Sequence, residues 1–171
     1  MKIKALLVTS AILLVPAMPS ASAVDFIQQI DATVLNIHDY SVLSGNLDKA
    51  KSADSAKKII SSMNSKLSAI RSNLVTYDSS LSYNWKVLID NDNANYPHRQ
   101  LLKDFNIEAF AWFNFEQKVQ QKISDCYKLK NDALACVVKN RKLAKNTELK
   151  NYTALTNTLD SIASWRKQYN R

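Results

Sequence analysis

Glu116 is the residue here whose position most invites chemistry. It falls on the heptad phase of an aromatic-rich segment in which Leu102, Phe105, Ala109, Trp112, Val119, Ile123 and Cys126 recur three and four apart. A carboxyl on the apolar face of a helix is costly to bury without a partner. Burial also raises its pKa, which fits it for work as an acid or a ligand. More often such a residue sits at the rim or pairs with an Arg, and Arg141 and Arg166, which fall on apolar phases too, are the candidate partners. Glu116 is accordingly a candidate buried acid.

Cys126 and Cys136 are the only cysteines. An even pair in an exported protein is expected to bond. Ten residues along one unbroken helix put them about 15 Å apart, whereas a disulfide needs Cα atoms within about 7 Å. The bond therefore predicts a turn between them, with Lys130-Asn131-Asp132 the expected corner and Asn131 or Asp132 the cap of the next helix. A redox role is disfavoured, because redox dithiols usually stand as C-x-x-C. The same scarcity disfavours a metal centre: His38 and His98 are the only histidines, too few ligands to complete a site.

Other constellations fail on inspection. His38 beside Asp39 and His98 after Pro97 match no catalytic template, and neither has a nucleophile nearby in sequence. Asp90-x-Asp92 opens like a calcium loop. Its fifth, sixth and twelfth positions are Ala94, Asn95 and Leu101, so the turn glycine and the bidentate acid are both missing. There is no Gly-rich phosphate loop, no G-x-S-x-G, no H-E-x-x-H and no C-x-x-C-H. No catalysis is evident and no cofactor or metal is implied.

The first 23 residues read as a cleavable signal peptide. Lys2 and Lys4 precede an apolar stretch from Ala5 to Val15, Pro16 and Pro19 break it, and Ala21-Ser22-Ala23 supplies the small residues a signal peptidase reads. The apolar run is about 11 residues, short of the roughly 20 a membrane span needs. No cysteine opens the expected mature chain, and no later apolar run is long enough to span a bilayer. The expected location is periplasmic or secreted, in a bacterial setting.

Residues 24–171 suit a single domain. The 171-residue sequence holds one glycine, and Pro97 is the one proline beyond the leader. Sheet proteins need turn residues every 8–12 positions or so, so this stretch predicts an all-α fold. The expectation is an elongated up-down bundle of four to six helices, one helix-turn-helix of which is stapled by the disulfide.

A first helix is predicted over 25–44, from Ile27, Ile30, Val34 and Ile37, with Gly45 as its stop. A second carries an uninterrupted seam of Ala53, Ala56, Ile60, Met63, Leu67, Ile70, Leu74, Tyr77 and Leu81. Asp78-Ser79-Ser80 is a place where it could break, and residues 90–97 form a polar loop. A long helix follows over 98–128. A short one over 132–145, using Leu134, Val137, Val138 and Arg141, is followed by a last one over 147–169.

Charge is uneven. The precursor is +8, and loss of Lys2 and Lys4 leaves +6. Residues 118–150 contain nine Lys and Arg against Asp125, Asp132 and Glu148. Such a segment can meet an anionic surface, though a merely solvated face is the commoner outcome. Export makes nucleic acid an unexpected partner.

The reading favoured is a binding protein whose partner is another protein or an anionic envelope component. Its expected signature is an exposed aromatic patch at Trp112, Phe113 and Phe115. The alternatives are a carrier of a small apolar ligand, in a cavity lined by Trp85, Phe105, Phe110 and Trp112, and a small all-helical enzyme using the buried carboxylate.

Overall fold

The computed structural model describes residues 23–89, 96–129 and 132–168, with side chains described over 28–81, 100–129 and 132–168. These residues form four helices: α1 Ala23–Leu47, α2 Ala53–Ile89, α3 Tyr96–Cys126 and α4 Ala133–Gln168. There is no strand among them. Residues 1–22 of the leader, Asp90–Asn95, the Lys130-Asn131 corner and residues 169–171 lie outside the described residues.

Each helix buries one seam. In α1 it is Ile30, Thr33, Ile37, Tyr40, Ser44 and Leu47; in α2, Ala56, Ile60, Met63, Leu67, Ile70, Leu74, Tyr77 and Leu81. In α3 it is Phe105, Ala109, Trp112, Glu116, Val119, Ile123 and Cys126. The three-four alternation keeps one stripe facing inward, and four such stripes close on a single core. Successive helices run in opposite directions. Tyr127, just past α3, donates its hydroxyl to the Ala53 carbonyl at the start of α2, and Arg141 in early α4 reaches Asp48 just past α1. At the other end Arg166 meets Asp31.

Several boundaries differ from the sequence expectation, each for a packing reason. Gly45 lies inside α1 rather than ending it, because Leu47 is buried and holds one more turn in place. Asp78-Ser79-Ser80 does not interrupt α2, since Tyr77 and Leu81 stay on the buried seam. The two predicted C-terminal helices are one helix of 36 residues. Asn146 and Thr147 are exposed, while Val137, Arg141, Ala144, Leu155 and Ile162 keep a single inward phase across the expected break. Val138 faces outward, not inward. Helix α3 opens two residues earlier than expected, with Pro97 in its first turn, where its missing N–H has no partner to lose. Ser52 caps α2 by accepting from the Ser55 backbone N–H at 3.2 Å.

Candidate functional site: a buried polar cluster and a basic end

Apart from Thr33 and Thr158, the buried polar residues gather where α1, α3 and α4 meet. Glu116 is 0% exposed there. Tyr40 donates its hydroxyl to Glu116 Oε2 at 2.7 Å and accepts from Gln120 Nε2 at 3.0 Å. The Tyr40 ring stands edge-on to Trp112, with centroids 5.3 Å apart. Tyr40 and Glu116 each fall on the seam of their own helix, which aims both side chains at the bundle axis.

Beside this trio lies an ionic group. Arg141, 5% exposed, bonds Glu148 through Nη2 at 3.0 Å and Asp48 through Nε at 3.3 Å. Its Nη2 also donates to Ser44 Oγ, and Ser44 in turn donates to Glu148 Oε1 at 3.2 Å. Burial opposes the Arg141 charge, but Glu148, Asp48 and Glu116 together hold its pKa above the ordinary value. Desolvation, reinforced by the nearby Glu148 carboxylate, pushes Glu116 up to about 7. The Tyr40 hydrogen bond and Arg141 pull the other way and do not prevail. Among the described residues, Glu116 Oε1, Gln120 Oε1 and Arg141 Nη1 have no hydrogen-bond partner.

Arg141 is thus an electrostatic neighbour of Glu116 but bonds elsewhere, and Arg166 is committed to Asp31 at 2.8 Å. Tyr40 and Gln120 are the partners that sequence reasoning missed. The signal for Tyr40 was present: continuing the Ile30–Ile37 period reaches Tyr40, Ser44 and Leu47. Gln120 lies beside the α3 seam and carried no such signal.

The aromatic surface expected on α3 is not there. Trp112 and Phe113 are buried, and Phe115 is half-buried against the core. The apolar stripe on α3 is wide enough to meet neighbours on two sides, so its rings close the core instead of facing outward. Phe105, expected to line a ligand cavity, packs edge-on against Tyr77 at 5.4 Å, and Phe110 is half-buried against the core. Trp85 and His98 lie outside the described side chains. His38 is exposed, and Asp39 bonds Lys66 at 2.6 Å. That bond and charge hold the Asp39 carboxyl below the usual range.

Cys126 ends α3 and Cys136 lies in the first turn of α4, with Cα atoms 5.6 Å apart and sulfurs at disulfide distance. Among the described residues no group of three His, Cys, Asp or Glu converges to hold a metal ion, and no helix is long and apolar enough to cross a membrane.

No protein-family model matches the chain, and neither a curated protein nor a solved structure matches it.

The surface has one pronounced asymmetry. The α1–α2 and α3–α4 connections lie at the same end, joined by the Tyr127–Ala53 and Arg141–Asp48 contacts. Segments 36–71 and 112–150, the halves of the helices nearest that end with the stretches that join them, contain fifteen Lys and Arg against seven Asp and Glu. From residue 24 on, the rest contains six against eight. Lys118, Lys122, Lys139, Lys142, Lys145 and Lys150 are all exposed.

Proposed function

We propose that the protein is exported through its 1–23 leader and acts in the periplasm or outside the cell by binding an anionic envelope component through the basic half of its bundle. The observation that carries this reading is the lengthwise separation of charge. Positive charge gathered on one half of a molecule raises the local concentration of polyanions and orients the encounter. With Trp112 and Phe113 buried and Phe115 half-buried, the binding reading rests on charge rather than on those three rings. In the same reading the Cys126–Cys136 bond forms after export and staples α3 to α4 at the basic end.

Carrier and enzyme readings have less support. Of the rings expected around a ligand, Phe105 packs on Tyr77 and Trp112 on Tyr40, and Glu116 is fully buried.

The test is retention of the exported protein on its own washed envelope fraction. The wild type is expected to bind at low salt and to be released as salt rises. A K139E/K142E/K145E variant, its fold checked by circular dichroism, is expected to bind at least about tenfold more weakly, at about 1 kcal/mol for each surface cation lost. A wild type that stays in the supernatant at low salt, or a variant that binds equally, refutes the proposal.

A further inference from the structure

We infer that the anionic component is a phospholipid bilayer surface, on which the first half of α4 lies with its lysines among the headgroups and its outward leucines at the acyl boundary. This rests on the basic half being the binding surface and adds what that surface touches.

Four of the eight large apolar side chains exposed among the described residues fall within the basic stretch: Leu129, Val138, Leu143 and Leu149. Leu143 is 72% exposed and Leu149 64%. On α4, Val138, Leu143 and Leu149 share two adjacent rows with cations. Val138, Lys142, Lys145 and Leu149 form one; Lys139, Leu143 and Lys150 form the other. Glu148, the only acid of α4 before Asp160, turns inward to Arg141 and Ser44 and leaves these rows uniformly positive.

Apolar grooves flank this helix. One, of about 190 Å³, is lined by Leu47, Val137 and Val138, by Lys142 and Lys145, and by Asp48, whose charge is paired with Arg141. The other, of about 130 Å³, is lined by Phe115, Val119, Leu143 and Ala144 with Lys122 beside it. Cationic rims over apolar walls match a lipid's phosphate and its first methylenes.

A folded protein partner fits the face less well. Protein interfaces are enriched in aromatic residues and Arg and depleted in Lys. Between Lys128 and Asn151 there is no aromatic residue, and the single Arg is the buried Arg141. Lysine is a compact charge on a flexible stem, suited to a fluid array of phosphates rather than to fixed bidentate recognition. Lysines with exposed leucines among them can hold a folded surface at the headgroup plane, their charges on phosphates and their stems along the apolar side chains.

The test uses the oxidised protein purified after expression from its precursor. It is co-sedimented with vesicles of phosphatidylcholine alone or mixed with phosphatidylglycerol, and in parallel its affinity for soluble polyglutamate is measured. We expect binding to the mixed vesicles and little to phosphatidylcholine. An L143S/L149S variant, altered only at exposed positions, should keep the polyglutamate affinity and the melting temperature but lose at least about tenfold in vesicle affinity. Polyglutamate binding without vesicle binding overturns the lipid inference while leaving the basic-end reading standing. Vesicle binding that the variant does not weaken also overturns the inference. Failure to bind either probe overturns both readings.

Discussion

Glu116 is neutral in the fold up to about pH 7, whereas its ordinary pKa is 4.5. The unfolded chain therefore releases this proton at lower pH than the folded one. The contribution of Glu116 to stability is full below pH 4.5 and falls away as pH rises through 7, by roughly 3 kcal/mol across that window. Glu116→Gln keeps an oxygen for the Tyr40 hydroxyl and never ionises. Thermal melts of both proteins should agree closely at pH 4 and diverge above it, with the variant the more stable by several degrees at pH 8. A difference that does not change with pH would refute the assignment. Glu116 itself was legible in the sequence, because its heptad phase announced a carboxyl inside. Its neutrality was not, since that comes first from complete burial and then from Glu148, thirty-two residues away and brought near only by the packing of α4 on α3.

At the scale of elements, the seam of α2 was readable residue by residue, while the ends of helices were less so. Gly45, Asp78-Ser79-Ser80 and Asn146 all look like stops in isolation. None acts as one, because Leu47, Leu81 and Leu155 beyond them are held by the core and carry the helix through. Local propensity is worth at most about 1 kcal/mol per residue, and a buried leucine outweighs it. The α3–α4 corner is different, for there the sequence offered a covalent reason to turn. If the proposed Cys126–Cys136 bond forms, closing a loop of this length stabilises by about 3 kcal/mol. Chemical denaturation with and without dithiothreitol should show a loss of that order. Cys136→Ser should match the reduced protein and be indifferent to reductant. Equal midpoints in both conditions would show that the thiols are not paired in solution.

For the whole molecule, composition alone announced helices, and the uneven charge of 118–150 was visible in the chain. That 44–60 joins it could not be read, since only the antiparallel course of the helices brings Lys49, Lys51, Lys57 and Lys58 to the same half. The polar cluster has a consequence for how the helices settle against one another. Apolar heptads repeat, so a helix displaced lengthwise by seven residues, about 10 Å, finds nearly equivalent holes. Tyr40, Glu116 and Gln120 can meet only at one such offset, and Arg141 with Asp48 and Glu148 repeats that requirement on α4. A Y40F/E116L/Q120L variant should be the more stable to unfolding, by about 1–4 kcal/mol, as buried polar groups exchanged for apolar ones often are. Its amide resonances should at the same time double or broaden as displaced alignments become populated. A single sharp set would mean that side-chain shape alone fixes the alignment, and the polar cluster would then be a cost without this return.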